Sequence, residues 1–250
     1  MSHDAFDYFD LISCHDEQLW NREILNQEVM EPIFRLWRYH TPGIVLGCNQ
    51  KQMWQTAVQH ANGGADISLR MTGGGAVLVG PWMLSLSVAL PNHHPFASNG
   101  LMHSYRWLSE LTLLTLQSLG VECEIVYPED VPRLKAEPLF SQADWACYGG
   151  ISSWEITSKG KKIVGLSQAR KKNGVLLAMG ILTDKVDWAS LVTRLDQSSG
   201  ATGKLEMCTT SCSEQLGRKL MPGVLEINLV RAIQAALDLS QHASPLLKTA

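Results

Sequence analysis

The sequence predicts a single α/β domain of the α+β type, in which a mixed and largely antiparallel sheet is flanked by helices. Its 250 residues are 45% hydrophobic and 18% charged, which is enough apolar material for one large core and argues against disorder. Strand-like segments are joined by short turns more often than by helices, which favours antiparallel pairing. No internal repeat or flexible linker divides the chain, so residues 1–250 are predicted to form one domain.

Helices alternate with short strands in the first part of the chain. Apolar residues recur at helical spacing over 15–30. A second helix is predicted over 52–61 and should stop at Asn62-Gly63-Gly64, because glycine and asparagine end helices. The Thr41-Pro42-Gly43 turn predicts a hairpin between the strands on either side of it. Strands are predicted over 33–39, 44–48, 67–71, 76–79 and 83–90.

The second part of the chain carries the strongest helical pattern and a series of hairpins. A broad apolar stripe predicts a helix over 101–119, which Gly120 ends. The turns Lys159-Gly160 and Lys172-Asn173-Gly174 join strand-like runs in the way that short hairpins require. Residues 128–144 contain three prolines and are predicted to form a long surface loop. The strands of this part are predicted over 121–127, 153–157, 162–169 and 174–183, and a last helix over 223–239.

Composition and spacing exclude several classes of partner and site. The 21 Lys and Arg residues are outnumbered by 24 Asp and Glu residues, so neither nucleic acid nor an anionic membrane is an expected partner. Apolar runs are far shorter than a bilayer requires, and the acidic N-terminus shows no secretory signal, so a cytoplasmic protein with free thiols is expected. Cys208 and Cys212 lack a second pair at ligand spacing, so no metal site is predicted. His93-His94 is expected to be solvated in a turn between two prolines.

A glycine-rich segment is the first candidate for chemistry. Arg70 places a cation at a strand end, and Thr72 leads into Gly73, Gly74 and Gly75. Adjacent glycines let backbone N–H groups approach a ligand that any Cβ would push away. The alternative is an ordinary flexible hairpin loop, since the segment matches neither a Walker loop nor a G-x-G-x-x-G turn.

The second candidate is the strand that begins near Lys162. Period-two alternation predicts that Lys162 and Val164 share one face, and that Ile163 and Gly165 share the other. A lysine at a strand start is usually only solvated. Glycine inside a strand, however, often marks the close approach of a ligand or another backbone.

The third candidate is Cys147, which follows the long loop predicted over 128–144. A thiol at that place is within reach of a macromolecular substrate. The alternative is a buried and inert thiol, which is the usual fate of a cysteine. A neighbouring ammonium such as Lys162 would favour the reactive thiolate if the fold brought the two together.

Two of these segments form an ordered pair of motifs, R-M-T-G-G-G-A-V from Arg70 to Val77 and G-K-K-I-V-G-L-S-Q from Gly160 to Gln168. Together they resemble the lipoate-protein ligase and octanoyltransferase family, which is related in fold to biotin protein ligases. The similarity runs from about Trp37 to Asp184. It implies a mixed sheet flanked by helices, with an acyl chain in a tunnel and the glycine-rich loop over its carboxyl end.

Members of this family divide by chemistry. Ligases activate a free acid with ATP, whereas transferases take the acyl group from a carrier-protein thioester, and one branch of transferases uses a cysteine before the lysine strand. Cys147 precedes Lys162 by fifteen positions and Glu155 follows Cys147 by eight, which is similar to the spacing in that branch. The chain also ends soon after its last predicted helix, which leaves no room for the C-terminal domain of many ligases and favours a transferase.

The resemblance therefore implies an acyltransferase that moves an octanoyl or lipoyl group onto a lysine of a lipoyl-domain protein. Its donor would be acyl carrier protein or an acylated lipoyl domain, and no cofactor would be needed. Cys147 would be the nucleophile, and Lys162 with backbone N–H groups of the glycine loop would stabilise the oxyanion. No general base can be assigned. The residues implied to bind substrate are Arg70, Thr72, Gly73, Gly74, Gly75, Gly165 and Ser167.

Two other functions stay open. Gly75 at the third position of the loop is closer to the ligase pattern, so one alternative is a lipoate ligase that uses ATP and Mg²⁺, acts through lipoyl-AMP and leaves Cys147 a bystander. Val79-Gly80 stands where the family usually has His-Asp, and a histidine common after the lysine strand is replaced near Met179. The other alternative is therefore a non-catalytic member that binds lipoyl groups.

Overall fold

The computed structural model describes residues 9–61, 66–137, 140, 143–221 and 223–243. The strands in this part of the chain are β1 (Phe9–Ile12), β2 (Ile33–Tyr39), β3 (Gly43–Leu46), β4 (Ile67–Leu69), β5 (Val77–Val79), β6 (Met83–Leu90), β7 (Glu124–Ile125), β8 (Ile156–Ser158), β9 (Lys161–Lys171) and β10 (Gly174–Leu182). The helices are α1 (Cys14–Asn26), α2 (Lys51–His60), α3 (Pro95–Ser98), α4 (Leu101–Ser118), α5 (Val131–Ala136), α6 (Trp188–Arg194), α7 (Gly200–Cys208), α8 (Cys212–Leu216) and α9 (Val224–Ala243).

Two sheets organise the molecule. The large sheet has seven strands in the order β1-β2-β6-β10-β9-β8-β7, and its neighbours are antiparallel except for β1 and β2. The small sheet has the order β4-β3-β5, with β3 parallel to β4 and antiparallel to β5. The predicted fold class, a mixed and largely antiparallel sheet flanked by helices, is confirmed.

The hairpin predicted around Thr41-Pro42-Gly43 is wrong. The strands on its two sides belong to different sheets, because β2 pairs with β1 and β6 while β3 pairs with β4 and β5. Gly43 starts β3 against helix α1, where a Cβ would lie 2.8 Å from the sulfur of Cys14. The turn therefore carries the chain from one sheet to the other, and Gly80-Pro81 does the same between β5 and β6.

One face of the large sheet holds the main core. Leu84, Leu86 and Val88 of β6 point to this face and pack with the apolar sides of α4 and α9, including Leu108 and Leu229. Each of these side chains is almost fully buried, which stabilises the fold by roughly 1.5–3 kcal/mol apiece. The helices predicted over 101–119 and 223–239 thus cover the sheet as their apolar stripes require.

The opposite face of the large sheet is lined by small side chains. Gly165 of β9 lies beside Gly180 of β10, which lies beside Ser85 of β6. The next row along the strands is Ser167, Ala178 and Ser87. Small side chains leave room between this face and the small sheet above it, and that room is where the candidate site lies.

Several elements differ from the sequence-based expectation. Part of the loop expected over 128–144 is helix α5, which begins beside Pro132, a residue type suited to a first helical turn. Helices α6, α7 and α8 are not predicted, although the capping box of Ser211 and Glu214 at the start of α8 is visible as S-x-x-E. The helix stop at Asn62-Gly63-Gly64 lies outside the described residues. Among the helices that are described, none is both long and apolar enough to span a bilayer.

Candidate active site

A β-bulge in β9 turns Lys162 toward the candidate site. Ile156 of β8 pairs with Val164, but the next residue, Thr157, pairs with Lys162, so Ile163 is an extra residue in the strand. Ile163 and Val164 both join the helix-side core, whereas the side chain of Lys162 reaches the space above Gly165. The predicted alternation, with Lys162 and Gly165 on opposite faces, is therefore wrong, because the bulge shifts the pleat by one residue.

The Lys162 ammonium is buried and has three oxygen partners. Its Nζ donates to Glu155 Oε1 at 2.6 Å, to the carbonyl oxygen of Cys147 at 2.6 Å and to that of Gly150 at 3.2 Å. The lysine is 1% exposed, so it is not the solvated side chain of the alternative interpretation. Since an ammonium has three N–H donors, all three are in use in this structure.

Glu155 is the counter-ion that makes this burial possible. Besides Lys162, the carboxylate accepts a hydrogen bond from the backbone N–H of Ser152 at 2.8 Å. Burial raises the pKa of Glu155, and the Lys162 ammonium opposes that shift. The ammonium and the carboxylate thus fix the segment from Cys147 to Glu155 against strand β9.

Cys147 begins a short 3₁₀ turn, Cys147–Gly149, that packs against the glycine-rich loop. Its backbone N–H donates to the carbonyl of Ala76 at 2.8 Å, and Ala76 N–H donates to the carbonyl of Trp145 at 2.8 Å. Gly75 permits this approach, because a Cβ there would lie 2.5 Å from the Trp145 oxygen. The thiol is half-buried, and its sulfur would lie 3.6 Å from a Cβ on Gly165. Lys162 Cε would lie 3.3 Å from that same point, so the structure brings the thiol and the lysine together.

The glycine-rich loop is held by hydrogen bonds at Thr72 and Gly75 and has free space at Gly73. Cys48 N–H donates to the carbonyl of Thr72 at 3.0 Å, and Arg70 Nη2 donates to the carbonyl of Gly75 at 3.0 Å. Gly74 has a φ of 95°, a conformation that favours glycine. A Cβ on Gly73 would meet no atom within 4 Å, so this side of the loop has room for a ligand.

A cavity lies between the small-residue face of the large sheet and the small sheet. It reaches from Cys147 and Gly165 to Tyr39 and Glu17. Five of the predicted site residues line it, namely Arg70, Thr72, Cys147, Gly165 and Ser167. Gly75 instead packs against the backbone that leads into Cys147. The hydroxyls of Thr72 and Ser167 are 2.9 Å apart across it.

The phenol of Tyr148 occupies part of this cavity. Its hydroxyl donates to the carbonyl of Gly180 at 2.7 Å, and its ring lies over Gly165, where a Cβ would be 3.6 Å from Cζ. Burial raises the pKa of Tyr148, so the hydroxyl is a neutral donor. The ring therefore narrows the cavity next to Cys147.

A buried polar cluster at the other end of the cavity was not found in the sequence. Tyr39 donates to Glu17 Oε2 at 2.6 Å and is 2.8 Å from the hydroxyl of Ser85, and Gln18 Nε2 donates to Glu17 at 2.9 Å. Burial raises the pKa of Glu17, and the positive charge of Arg70 is among the causes that oppose the shift. The sequence offers no signal for this cluster, since Glu17 looks like any acid in the first turn of a helix.

His94 also differs from expectation. It is 6% exposed rather than solvated, and it caps helix α3 by accepting a hydrogen bond from Phe96 N–H at its Nδ1. Its Nε2 lies 3.1 Å from the hydroxyl of Ser240 on α9. Burial lowers the pKa of His94, which makes it a neutral structural residue away from the cavity.

Comparison with known proteins identifies octanoyltransferases among the relatives of this chain. Octanoyltransferase LipM of Macrococcus caseolyticus is 31% identical over 176 residues, which are 69% of this chain and 60% of that protein. Octanoyltransferase LipM of Moorella thermoacetica is 31% identical over 209 residues, which are 80% of this chain and 73% of that protein. The chain thus spans about 60% of the length of the Macrococcus relative.

Solved structures show the same fold. Lipoate-protein ligase A bound with ATP superposes with a TM-score of 0.65 at 19% identity, over 92% of this chain and 85% of the other. A putative lipoate protein ligase from Thermoplasma acidophilum with bound lipoic acid gives 0.62 at 18% identity, over 92% and 83%. The family model for the lipoyl protein ligase A/B catalytic domain matches residues 15–230. Because that match covers most of the chain, including the cavity and both motifs beside it, the protein belongs to the lipoyl protein ligase A/B catalytic-domain family.

Proposed function

We propose that this protein is an acyltransferase that moves an octanoyl or lipoyl group from a carrier thioester, through Cys147, to a lysine of a lipoyl-domain protein. The observation that carries the proposal is the meeting of the Cys147 thiol and the Lys162 side chain above Gly165, at one end of the cavity. Similarity to octanoyltransferases supports the reaction class.

The reaction takes place in two acyl-transfer steps. The Cys147 thiolate attacks the carbonyl carbon of the donor thioester, the bond to the carrier sulfur breaks, and the carrier thiol leaves with a proton. The amine of the acceptor lysine then attacks the new thioester, releases the Cys147 sulfur and gives up a proton to form the amide. Acyl carrier protein or an acylated lipoyl domain would be the donor, and neither step needs ATP or another cofactor.

Lys162 must exchange a partner to act on the oxyanion. Its three N–H groups are taken up by Glu155, Cys147 and Gly150, and the bond to the Gly150 carbonyl is the longest of the three. Release of that bond would free one N–H group to donate to the oxyanion of the tetrahedral intermediate. Loss of one such donor typically raises the activation free energy by about 3 kcal/mol in other enzymes. The open backbone around Gly73 would face the same oxygen.

The state of the cysteines supports a reducing compartment. All six cysteines are free, including the half-buried Cys48 and Cys147. Free thiols are typical of the cytoplasm. We therefore place the proposed reaction in the cytoplasm.

Intact-mass measurement tests the cysteine mechanism. After incubation with octanoyl acyl carrier protein, the wild type and a Cys48→Ala control should gain one octanoyl group, and Cys147→Ala should gain none. Added lipoyl domain should then take up the group from the acyl-enzyme. An adduct that persists in Cys147→Ala would remove Cys147 as the nucleophile.

A second candidate function is an ATP-dependent lipoate ligase. Gly75 in the loop and the fold shared with lipoate-protein ligase A favour it. In that reaction Lys162 would contact an acyl-adenylate and Cys147 would be a bystander. Lipoylation of a lipoyl domain from free lipoate, dependent on ATP and unchanged in Cys147→Ala, would establish the ligase. Binding of octanoate or lipoate without turnover from either donor would instead indicate a non-catalytic member.

A further inference from the structure

The cavity extends from Gly165 on β9, beside Cys147, to Ser85 on β6, which is two strands away. Gly165, Gly180 and Ser85 lie in one row across β9, β10 and β6. Neighbouring strands are about 4.8 Å apart, so Ser85 lies about 10 Å from the glycine beside the thiol. The next residue in this row is Trp37 of β2, which is 2% exposed and blocks further extension.

Three hydrogen-bonded side chains close that end of the cavity. Tyr39 bonds to both Glu17 and Ser85, and all three residues line the cavity and are at least nine-tenths buried. Before this cluster the walls include the apolar side chains of Val45, Val79 and Met83, and the hydroxyls of Thr72 and Ser167 there are hydrogen-bonded to each other. A methylene chain can replace water along such walls, but it offers no hydrogen bond to a buried carboxyl or hydroxyl.

We propose that Glu17, Tyr39 and Ser85 determine which acyl chains the cavity accepts, by stopping a saturated chain after about eight carbons. The distance of about 10 Å from Gly165 to Ser85 is close to the length of an extended eight-carbon chain. A longer chain would have to break the hydrogen bonds among these buried groups, which would then lack partners and would raise the free energy of binding. This proposal rests on the proposed function, and it assigns the substrate class to named side chains.

Calorimetry with free fatty acids tests the proposal without the cysteine chemistry. In a Cys147→Ala background, octanoate should bind about tenfold more tightly than dodecanoate, whereas the four extra methylene groups of dodecanoate would give the reverse order in an open apolar channel. Addition of Glu17→Ala should raise the affinity for dodecanoate relative to octanoate by about tenfold, because the stop is removed. Glu23→Ala, an exposed glutamate on the same helix, is the matched control and should keep the parent ratio.

A second variant tests the opposite direction. Ser85→Val adds bulk to the end wall and should shift the preference from octanoate toward hexanoate. Thermal unfolding identifies the variants that fold. If Glu17→Ala does not fold, the affinity ratio of Ser85→Val alone tests the proposal. Unchanged ratios in the folded variants, or no binding of octanoate to the parent, would overturn the proposal.

The acyl-enzyme assay separates this proposal from the proposed function. With acyl thioesters from hexanoyl to dodecanoyl, adduct formation on Cys147 should fall beyond octanoyl in the wild type and extend to longer chains in Glu17→Ala. Equal adducts at every chain length would contradict the length limit and leave the transferase intact. If no thioester gives an adduct while the calorimetric preference holds, the cysteine mechanism fails and the length limit stands.

Discussion

At the scale of single residues, the lysine of the site is an anchor as well as a cation. Lys162 holds the carbonyl of the very residue that carries the thiol, so its charge and the position of Cys147 are linked. Glu155 balances that charge within 2.6 Å. The motif identifies Lys162, but only the structure shows that the ammonium is tied down by its own loop.

Replacement of Glu155 should affect both stability and acylation. Glu155→Gln leaves a buried ammonium without its counter-ion, which we expect to cost about 3 kcal/mol in the free energy of unfolding. Acyl-enzyme formation should fall on the order of a hundredfold, because the turn that carries the nucleophile is no longer held in place.

Urea unfolding and the rate of adduct formation measure these two effects. Glu122→Gln is the control, since Glu122 forms an ion pair with Lys159 that is largely exposed and lies at 3.8 Å. That change should cost less than about 1 kcal/mol and leave the rate alone. Equal effects of the two substitutions would show that burial of the Glu155 pair has no special role.

The missing side chain of Gly165 leaves the space in which the thiol and the lysine meet. A methyl group there would lie 3.3 Å from Lys162 Cε and 3.6 Å from Cys147 Sγ, so Gly165→Ala should cost about 1–3 kcal/mol in stability and slow acylation about tenfold. Gly203→Ala places a methyl group where no atom lies within 4 Å, so it should leave acylation unchanged. Because Gly203 lies inside helix α7, this control should raise stability by about 0.5–1 kcal/mol rather than lower it. Wild-type acylation in Gly165→Ala would mean that substrate does not use this space.

At the scale of elements, one extra residue in β9 decides which groups meet. Without the bulge at Ile163, the regular pleat would point the Lys162 side chain into the apolar core between the sheet and helices α4 and α9, away from Glu155. Alternation alone could not predict this, because a bulge leaves no mark in the hydrophobic pattern of K-K-I-V-G. The meeting of Lys162 with Cys147 and Glu155 therefore depends on a local irregularity in an otherwise regular hairpin.

The contact between α3 and α9 should make stability depend on pH through His94. Burial holds the pKa of His94 below its ordinary value of 6.5, so the folded state prefers the neutral ring. Its stabilising contribution is therefore complete above the unfolded pKa and is lost as pH falls through that value toward the folded one.

Denaturant unfolding at pH 7.5 and pH 5.5 measures this effect. We expect the wild type to lose about 1 kcal/mol across that interval because of His94. His94→Asn keeps a side chain that can cap α3 and should lose less. His93→Asn, next to it in sequence, is the control, and an equal loss in both variants and the wild type would contradict the assignment.

At the scale of the whole molecule, local signals were predictable and the partition between sheets was not. The hairpins of β8, β9 and β10 follow from Lys159-Gly160 and Lys172-Asn173-Gly174, because turn chemistry lies within a few residues. The separation of β2 from β3 depends on which distant strands they pair with, and no short pattern encodes that choice.

The same division holds for the site. Cys147, Lys162 and the glycine loop were found through motifs. The structure places Cys147 in the wall of the cavity, with Lys162 and Gly75 packed against the segment that carries it. Glu17, Tyr39 and Ser85 come from three elements without a shared motif, so only packing reveals them. Motifs thus locate the end of the cavity that holds Cys147, whereas the buried cluster at the other end is a product of tertiary structure.

The anchor of Cys147 is made fifteen residues after the thiol itself, on a strand that needs β10 beside it. During synthesis, the nucleophile leaves the ribosome before its lysine and well before the last hairpin can close. A nascent chain therefore carries the Cys147 thiol without its anchor until strand β9 has been made and paired with β10.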